Sequence, residues 1–303
     1  MVARNIHEMN LILAVDGSEH SAAAARLVRD LPLPGESSIT VLAVLVPRDA
    51  SNHAGLEQAL ADTRQILGDI KPSVKTELLT GYPAEQISEY AAEHVPDLIV
   101  LGAKGRRATL GILLGGVVQQ IVEYADDPVL VVRAPYVGVE RILLVTDGSI
   151  HSQRAASYLG DFPIPDLAVV HVVHVMPPIP SPVLIARSWP AGSETMTPVP
   201  SYETEELLAK QVEEEELHGK ALLADTVNEL GNYGIEATDV LLRGDAATEI
   251  IQYANQNQIG LIVAGSRGLS RMRRLLLGSL SRKLVHYAGC SVLIVKGGDH
   301  DLV

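Results

Sequence analysis

Two stretches of this chain repeat one pattern 163 positions apart, and any fold proposed for it must accommodate that repetition. Residues 98 to 116 read LIVLGAKGRRATLGILLGG, and residues 261 to 279 read LIVAGSRGLSRMRRLLLGS. The same offset relates TGYPAEQISEYA (80 to 91) to RGDAATEIIQYA (243 to 254), setting Gly81 on Gly244, Ile87 on Ile250 and Tyr90 on Tyr253. Near the start of each copy, AVDGSEHS (14 to 21) matches VTDGSIHS (145 to 152) at an offset of 131, with Pro32 and Pro34 on Pro163 and Pro165. The chain is an internal duplication. It divides into one domain at 1–137 and a second at 138–303, with APYVGV (134 to 139) as the join, and the second copy holds 32 extra residues between its markers.

Each copy alternates short apolar runs with amphipathic segments. NLILAVD (10 to 16) is a buried strand stopping at Asp16-Gly17-Ser18, and a helix follows with Ala24, Leu27 and Val28 on one face. Ile39 to Val46, Val74 to Leu79, Asp97 to Leu101 and Val129 to Arg133 are further strands; residues 55 to 70, Pro83 to Glu93 and Val117 to Tyr124 have helical spacing. Strands separated by helices need crossover connections, so the sheet is parallel with helices on both faces. The fold class is α/β, a doubly wound five-stranded sheet in each half. The cores must be built from aliphatic side chains, because the chain has one Trp, one Phe and nine Tyr among 47% hydrophobic residues.

The glycine-rich stretch sits where an apolar strand ends and a helix begins. After Leu261 to Ala264 come Gly265 and Gly268, nine residues, and Gly278 with Ser279. Leu280, Leu284, Val285 and Ala288 then recur at helical spacing up to Gly289, expected in the left-handed position that closes a helix. The free amides of a first helical turn favour an anion, and phosphate is the natural one. Charge agrees: Gly265 to Lys283 holds six basic residues (Arg267, Arg271, Arg273, Arg274, Arg282, Lys283) and no acidic one, in a chain of net charge −13.

With these motifs, both copies resemble universal stress protein domains, whose nucleotide-binding members carry GxxG, nine residues, then Gly with Ser or Thr, and an Asp at the end of the first strand. Residues 265 to 279 fit the whole motif; the first copy ends in Gly115 and Gly116 and lacks the hydroxyl. The resemblance implies strand order 3-2-1-4-5, with Asp and glycine loop facing one crevice, and a stress-response or regulatory protein holding ATP or another adenine nucleotide. In the second half it implies Asp147 on the ribose, Val175 at adenine, Gly265, Arg267 and Gly268 around the phosphates, and Gly278, Ser279, Leu280 and Ser281 at the helix start. In the first half it implies Asp16, Val44, Gly102, Lys104, Gly105, Gly115, Gly116 and Val117. Mg²⁺ is expected on the phosphates, with no protein cage of its own. The second site is expected to bind more tightly. For Asp16 and Asp147 the alternative is a simple helix cap. The resemblance also implies that final strands pair across a dimer interface. A tandem chain can satisfy this internally by pairing Val129–Arg133 antiparallel with Val292–Lys296, leaving a homodimer of whole chains as a further assembly.

Composition removes other classes. The acidic balance argues against nucleic acid as a partner, and no apolar stretch reaches the roughly 18 residues of a membrane span, so a cytoplasmic location is expected. The lone Cys290 reads as a buried structural thiol, and His171 and His174, three apart in a strand, face opposite sides. The helix from Glu203 is expected to turn Leu207, Leu208, Val212, Leu217, Leu222 and Val227 toward the sheet, with Glu213 to Glu216 solvated. The insertion at 176 to 202 holds seven prolines, with Leu184, Ile185 and Trp189 as packing groups of a flap or a surface excursion. No catalytic residue and no metal site stand out. Slow ATP hydrolysis and nucleotide-independent protein scaffolding remain the alternatives to nucleotide binding.

Overall fold

The computed structural model describes residues 7–106, 113–179, 202–268 and 277–297. Arg271, Arg273, Arg274, Leu184, Ile185 and Trp189 lie outside these residues, as does most of the proline-rich insertion. The first half runs β1 (Asn10–Ala14), α1 (Glu19–Asp30), β2 (Ser38–Leu45), a 3-10 turn (Pro47–Asn52), α2 (His53–Leu67), β3 (Ser73–Thr80), α3 (Pro83–His94), β4 (Leu98–Gly102), α4 (Gly116–Tyr124) and β5 (Val129–Val132). The second runs β6 (Arg141–Val145), α5 (Ile150–Asp161), β7 (Val169–Met176), α6 (Tyr202–Asn232), β8 (Ala237–Arg243), α7 (Ala246–Gln256), β9 (Leu261–Gly265), α8 (Ser279–Tyr287) and β10 (Ser291–Val295).

Each half has the expected order, and the two sheets are one. The ten strands lie in the order β3-β2-β1-β4-β5-β10-β9-β6-β7-β8. All neighbours are parallel except β5 and β10, which meet antiparallel with Leu130 opposite Leu293. The expected pairing of the two final strands is therefore present, and it removes two exposed edges from the middle of the molecule. Central strands are buried on both faces, as their unbroken Val, Leu and Ile runs require: Leu98 and Leu130 in one layer and Ile99 and Val129 in the other are all 0% exposed. One apolar layer lies under α1, α2, α5 and α6, the other under α3, α4, α7 and α8.

Helix α6 shows how the duplication was stretched. Its buried positions Gly219, Leu223, Thr226 and Leu230 fall 163 positions after Leu56, Leu60, Thr63 and Leu67 of α2, so the later offset already holds here and the extra residues precede the paired helices. The expected facing set is corrected in part. Val227 packs against the core as expected and Leu222 is half-buried, but Leu217 is 61% exposed, and the fully buried leucines are Leu223 and Leu230, which the expected stripe left out. Glu213 and Glu214 are exposed as expected, whereas Glu215 turns inward to Arg243. Gly289 does not close α8 either: Ala288 ends that helix with extended backbone, φ −61 and ψ 139. His171 bonds Tyr253 on α7, and His174 bonds the Thr146 carbonyl on the other side of β7, so the two do face apart.

Candidate functional site

The site is built from a turn after the first strand and a loop after the fourth. At the end of β1, Gly17 takes φ +75 and the chain reverses into α1, whose N-cap is Ser18; the Ser18 hydroxyl accepts the Ser21 amide at 3.1 Å. Asp16 is thus not the cap. One of its oxygens accepts the Ser18 amide at 3.0 Å and the other accepts the Arg106 amide at 2.8 Å, while Ser18 Oγ donates to the Lys104 carbonyl at 3.0 Å. Turn and loop are laced together. A Cβ on Gly105 would stand 2.6 Å from Asp16 Oδ2, so only glycine lets the loop approach this closely. Gly102 is pressed in the same way against the backbone of His20 and Ser21.

The loop delivers the chain to α4, capped by Gly115, which offers no side chain to the first-turn amides. Across the gap, α3 begins at Pro83 behind Tyr82, again without a side-chain cap. By contrast α1, α5 and α7 are closed by Ser18, Ser149 and Asp245. Two helix N-termini without side-chain caps therefore converge in the first half.

Between them lies a cavity of about 570 Å³. Its floor is apolar, from Leu42, Ile87, Leu101 and Leu114, and Val44 and Val46 line it at the end of β2. All eight first-half residues singled out from the sequence line it: Asp16, Val44, Gly102, Lys104, Gly105, Gly115, Gly116 and Val117. Gly116 meets open space, with nothing within 4 Å of a Cβ built there. Sequence reasoning missed Arg106, Asn52 and Tyr82 at the rim. Arg106 Nη1 donates to Asn52 Oδ1 at 3.3 Å, which links the loop to the turn before α2. Only the adjacency of Arg106 to the glycines hinted at its place. Below the rim, burial and then the nearby Lys104 and Arg133 charges hold His20 below its ordinary value, and its Nδ1 accepts the Ala134 amide.

The second half repeats the frame with different fittings. Asp147 accepts the Ser149 amide at 3.0 Å, and a Cβ on Gly268 would lie 2.5 Å from Asp147 Oδ2, so Asp and glycine loop converge here too. Gly265 ends β9 against the His151 carbonyl, and the Gly278 amide donates to Ser266 at 2.7 Å beside Arg267. Val175 is half-buried near the end of β7, Ser279 is exposed at the start of α8, and Leu280 is half-buried. Ser281 departs from expectation: it is buried, and its hydroxyl donates inward to the Gly265 carbonyl at 2.7 Å, since the third residue of this helix faces the strand end. Arg282 and Lys283 are engaged by carboxylates, Glu123 at 3.1 Å and Asp245 at 3.4 Å. By the repeat offset Glu215 takes the place of Asn52, held at 3.0 Å by Arg243, which also donates to the Pro177 carbonyl.

Comparison with known proteins agrees with the repeat. Residues 9–133 and 138–296 each match the family model described as Universal stress protein family. A universal stress protein of Mycolicibacterium smegmatis is 27% identical over 319 residues, spanning 95% of this chain and 97% of that protein. One from Thermus aquaticus is 33% identical over 156 residues, 51% of this chain and 97% of the relative, so it corresponds to one copy. The crystal structure of a universal stress protein from Archaeoglobus fulgidus DSM 4304 superposes with a TM-score of 0.66 at 20% identity, over 97% of this chain and 98% of that one, a likeness of fold.

Proposed function

The chain belongs to the universal stress protein family, and from that premise we propose that it is an adenine-nucleotide-binding stress-response protein with its principal site in the first of two domains, 1–137 and 138–303. The observation that carries this reading is the cavity of about 570 Å³ bounded by Asp16 and by two helix starts without side-chain caps. That volume suits a small-molecule ligand, and its apolar floor with few polar groups is the usual composition of such sites.

The roles divide along the cavity. Val44 and Val46 flank the base. Asp16 already accepts two amides, yet each oxygen retains a lone pair for the ribose hydroxyls. The amides of Gly116 and Val117 and the Lys104 ammonium meet the phosphates, with Gly102, Gly105 and Gly115 shaping the backbone that brings them there. Among the described residues no cluster of three His, Cys, Asp or Glu is placed to hold a metal, so Mg²⁺ would arrive on the phosphates.

Motif completeness favours the second half, where Asp147, Val175, Gly265, Arg267, Gly268, Gly278, Ser279 and Leu280 repeat the arrangement. Two features weigh the other way. Glu215 puts a carboxylate where the first half has the neutral Asn52, and Arg282 and Lys283 are paired with carboxylates. Hydrolysis is the weaker reading, because this assignment puts Asp16 at the ribose and not at the phosphates, where a base would have to activate water.

Equilibrium titration of Lys104→Met tests the assignment. ATP affinity should fall by about tenfold, the value of one charge-assisted contact, while adenosine affinity holds. Equal loss for both ligands, or none for either, would contradict it.

A further inference from the structure

Among the described residues no carboxylate pairs with Arg133, just after β5, which sits between the two halves. It is half-buried, and burial holds its guanidinium below its ordinary value. A desolvated guanidinium needs compensation, and here a helix end supplies it. Nη2 donates to the Val285 carbonyl at 2.7 Å and to the His286 carbonyl at 2.9 Å, both in the last turn of α8, where carbonyls lack intrahelical partners and partial negative charge collects. Nη1 donates to the Leu113 carbonyl at 3.1 Å.

Leu113 stands two residues before Gly115, the cap of α4 at the first crevice. One rigid, planar group therefore fixes both the approach to that helix start and the far end of the helix that opens the second crevice. The arrangement is reciprocal. Lys296, which follows Arg133 by the repeat offset of 163, donates from Nζ to the carbonyl of Ala125, the C-cap of α4. Glu123 of α4 and Arg282 of α8 join the helices directly at 3.1 Å. Each phosphate-facing helix thus starts at its own half's crevice and ends in the grip of the other half's cation.

We propose that Arg133 is a positioning residue that couples the two crevices, so that filling one strengthens nucleotide binding in the other. This rests on the nucleotide reading above. A ligand on the Gly116 and Val117 amides restrains the segment from Leu113 onward; Arg133 passes that restraint to α8, and a second ligand then has less helix freedom to freeze. Linkage makes the effect mutual.

Hydrogen–deuterium exchange on the full chain tests this. Ser279→Trp places bulk at an exposed position and blocks the second crevice without entering the core, so MgATP fills only the first. The expected result is slowed exchange at 113–118 and also, by on the order of fivefold, across the distant 282–288. Adding Arg133→Lys, which keeps the charge but cannot span all three carbonyls, should leave the first effect and abolish the second. Adding Glu123→Gln instead should leave both. Remote slowing that survives Arg133→Lys, or local slowing with no remote effect in the parent protein, overturns the coupling. No slowing at either place overturns the nucleotide reading itself.

Discussion

Asp16 accepts the backbone amide of Arg106 at 2.8 Å across 90 positions of sequence, and this bond makes one site out of two distant motifs. It holds the loop after β4 against the turn after β1 at the carboxyl ends of strands where the winding reverses, the place where open α/β sheets bind ligands.

The closeness of that contact gives the first prediction. Gly105→Ala sets a Cβ 2.6 Å from Asp16 Oδ2 and should destabilise the protein by about 1–3 kcal/mol. In an Asp16→Ala background the same change should cost clearly less, and urea denaturation of the four proteins in the cycle measures the difference. Additive losses would show that the carboxylate is not what excludes the methyl group.

Gly116 is different, because nothing approaches it. Gly116→Ser, which gives the first half the residue that Ser279 supplies in the second, should change stability by no more than about 0.5 kcal/mol. One added hydroxyl at the helix start should tighten ATP by about 2- to 10-fold in a calorimetric titration. Unchanged affinity would mean that the phosphates lie elsewhere.

Two leucines on α6 separate a buried stripe from a surface one. Leu223→Ala should cost about 2–5 kcal/mol, as truncations in a packed core do, and Leu217→Ala, at a position 61% exposed, less than about 0.5 kcal/mol. Thermal or chemical unfolding decides between them, and equal losses would refute the stated phase of the helix.

How much was legible beforehand follows from these residues. The strands could be read because runs such as Leu261 to Ala264 are buried on both faces, and the glycine loop because Gly105 and Gly268 answer the same steric demand twice, whereas the strand order followed only from the family resemblance. The phase of α6 could not, since its apolar residues are spread around the helix and only the sheet it meets selects Leu223 and Leu230. Ser281 and Ser279 are two residues apart and look equivalent in sequence; their directions differ, and one hydroxyl is spent on Gly265. Arg106, Asn52 and Tyr82 carry no spacing signal, and the rim they form exists only once the halves of the motif have met.

Lys296 provides a pH signature of the junction. Burial pulls its ammonium down to about 8 from 10.5, against the opposing pull of Asp126, Asp127 and Glu123. The unfolded chain keeps the proton up to the higher value, so between these limits the unfolded state binds more protons and stability rises with pH. Urea denaturation at pH 7 to 10 should show the wild type gaining on Lys296→Met by about 1.4 kcal/mol per unit of depressed pKa. A flat difference would mean that the ammonium is as well solvated as in the open chain.

The most direct test uses the equivalent exposed positions at the two helix starts. Nucleotide bound per chain, and its affinity, should be measured by calorimetry with MgATP for the wild type, Gly116→Trp and Ser279→Trp. Gly116→Trp should lose the tightest site while Ser279→Trp keeps it. Full-strength binding by Gly116→Trp, with the loss falling on Ser279→Trp, would contradict this.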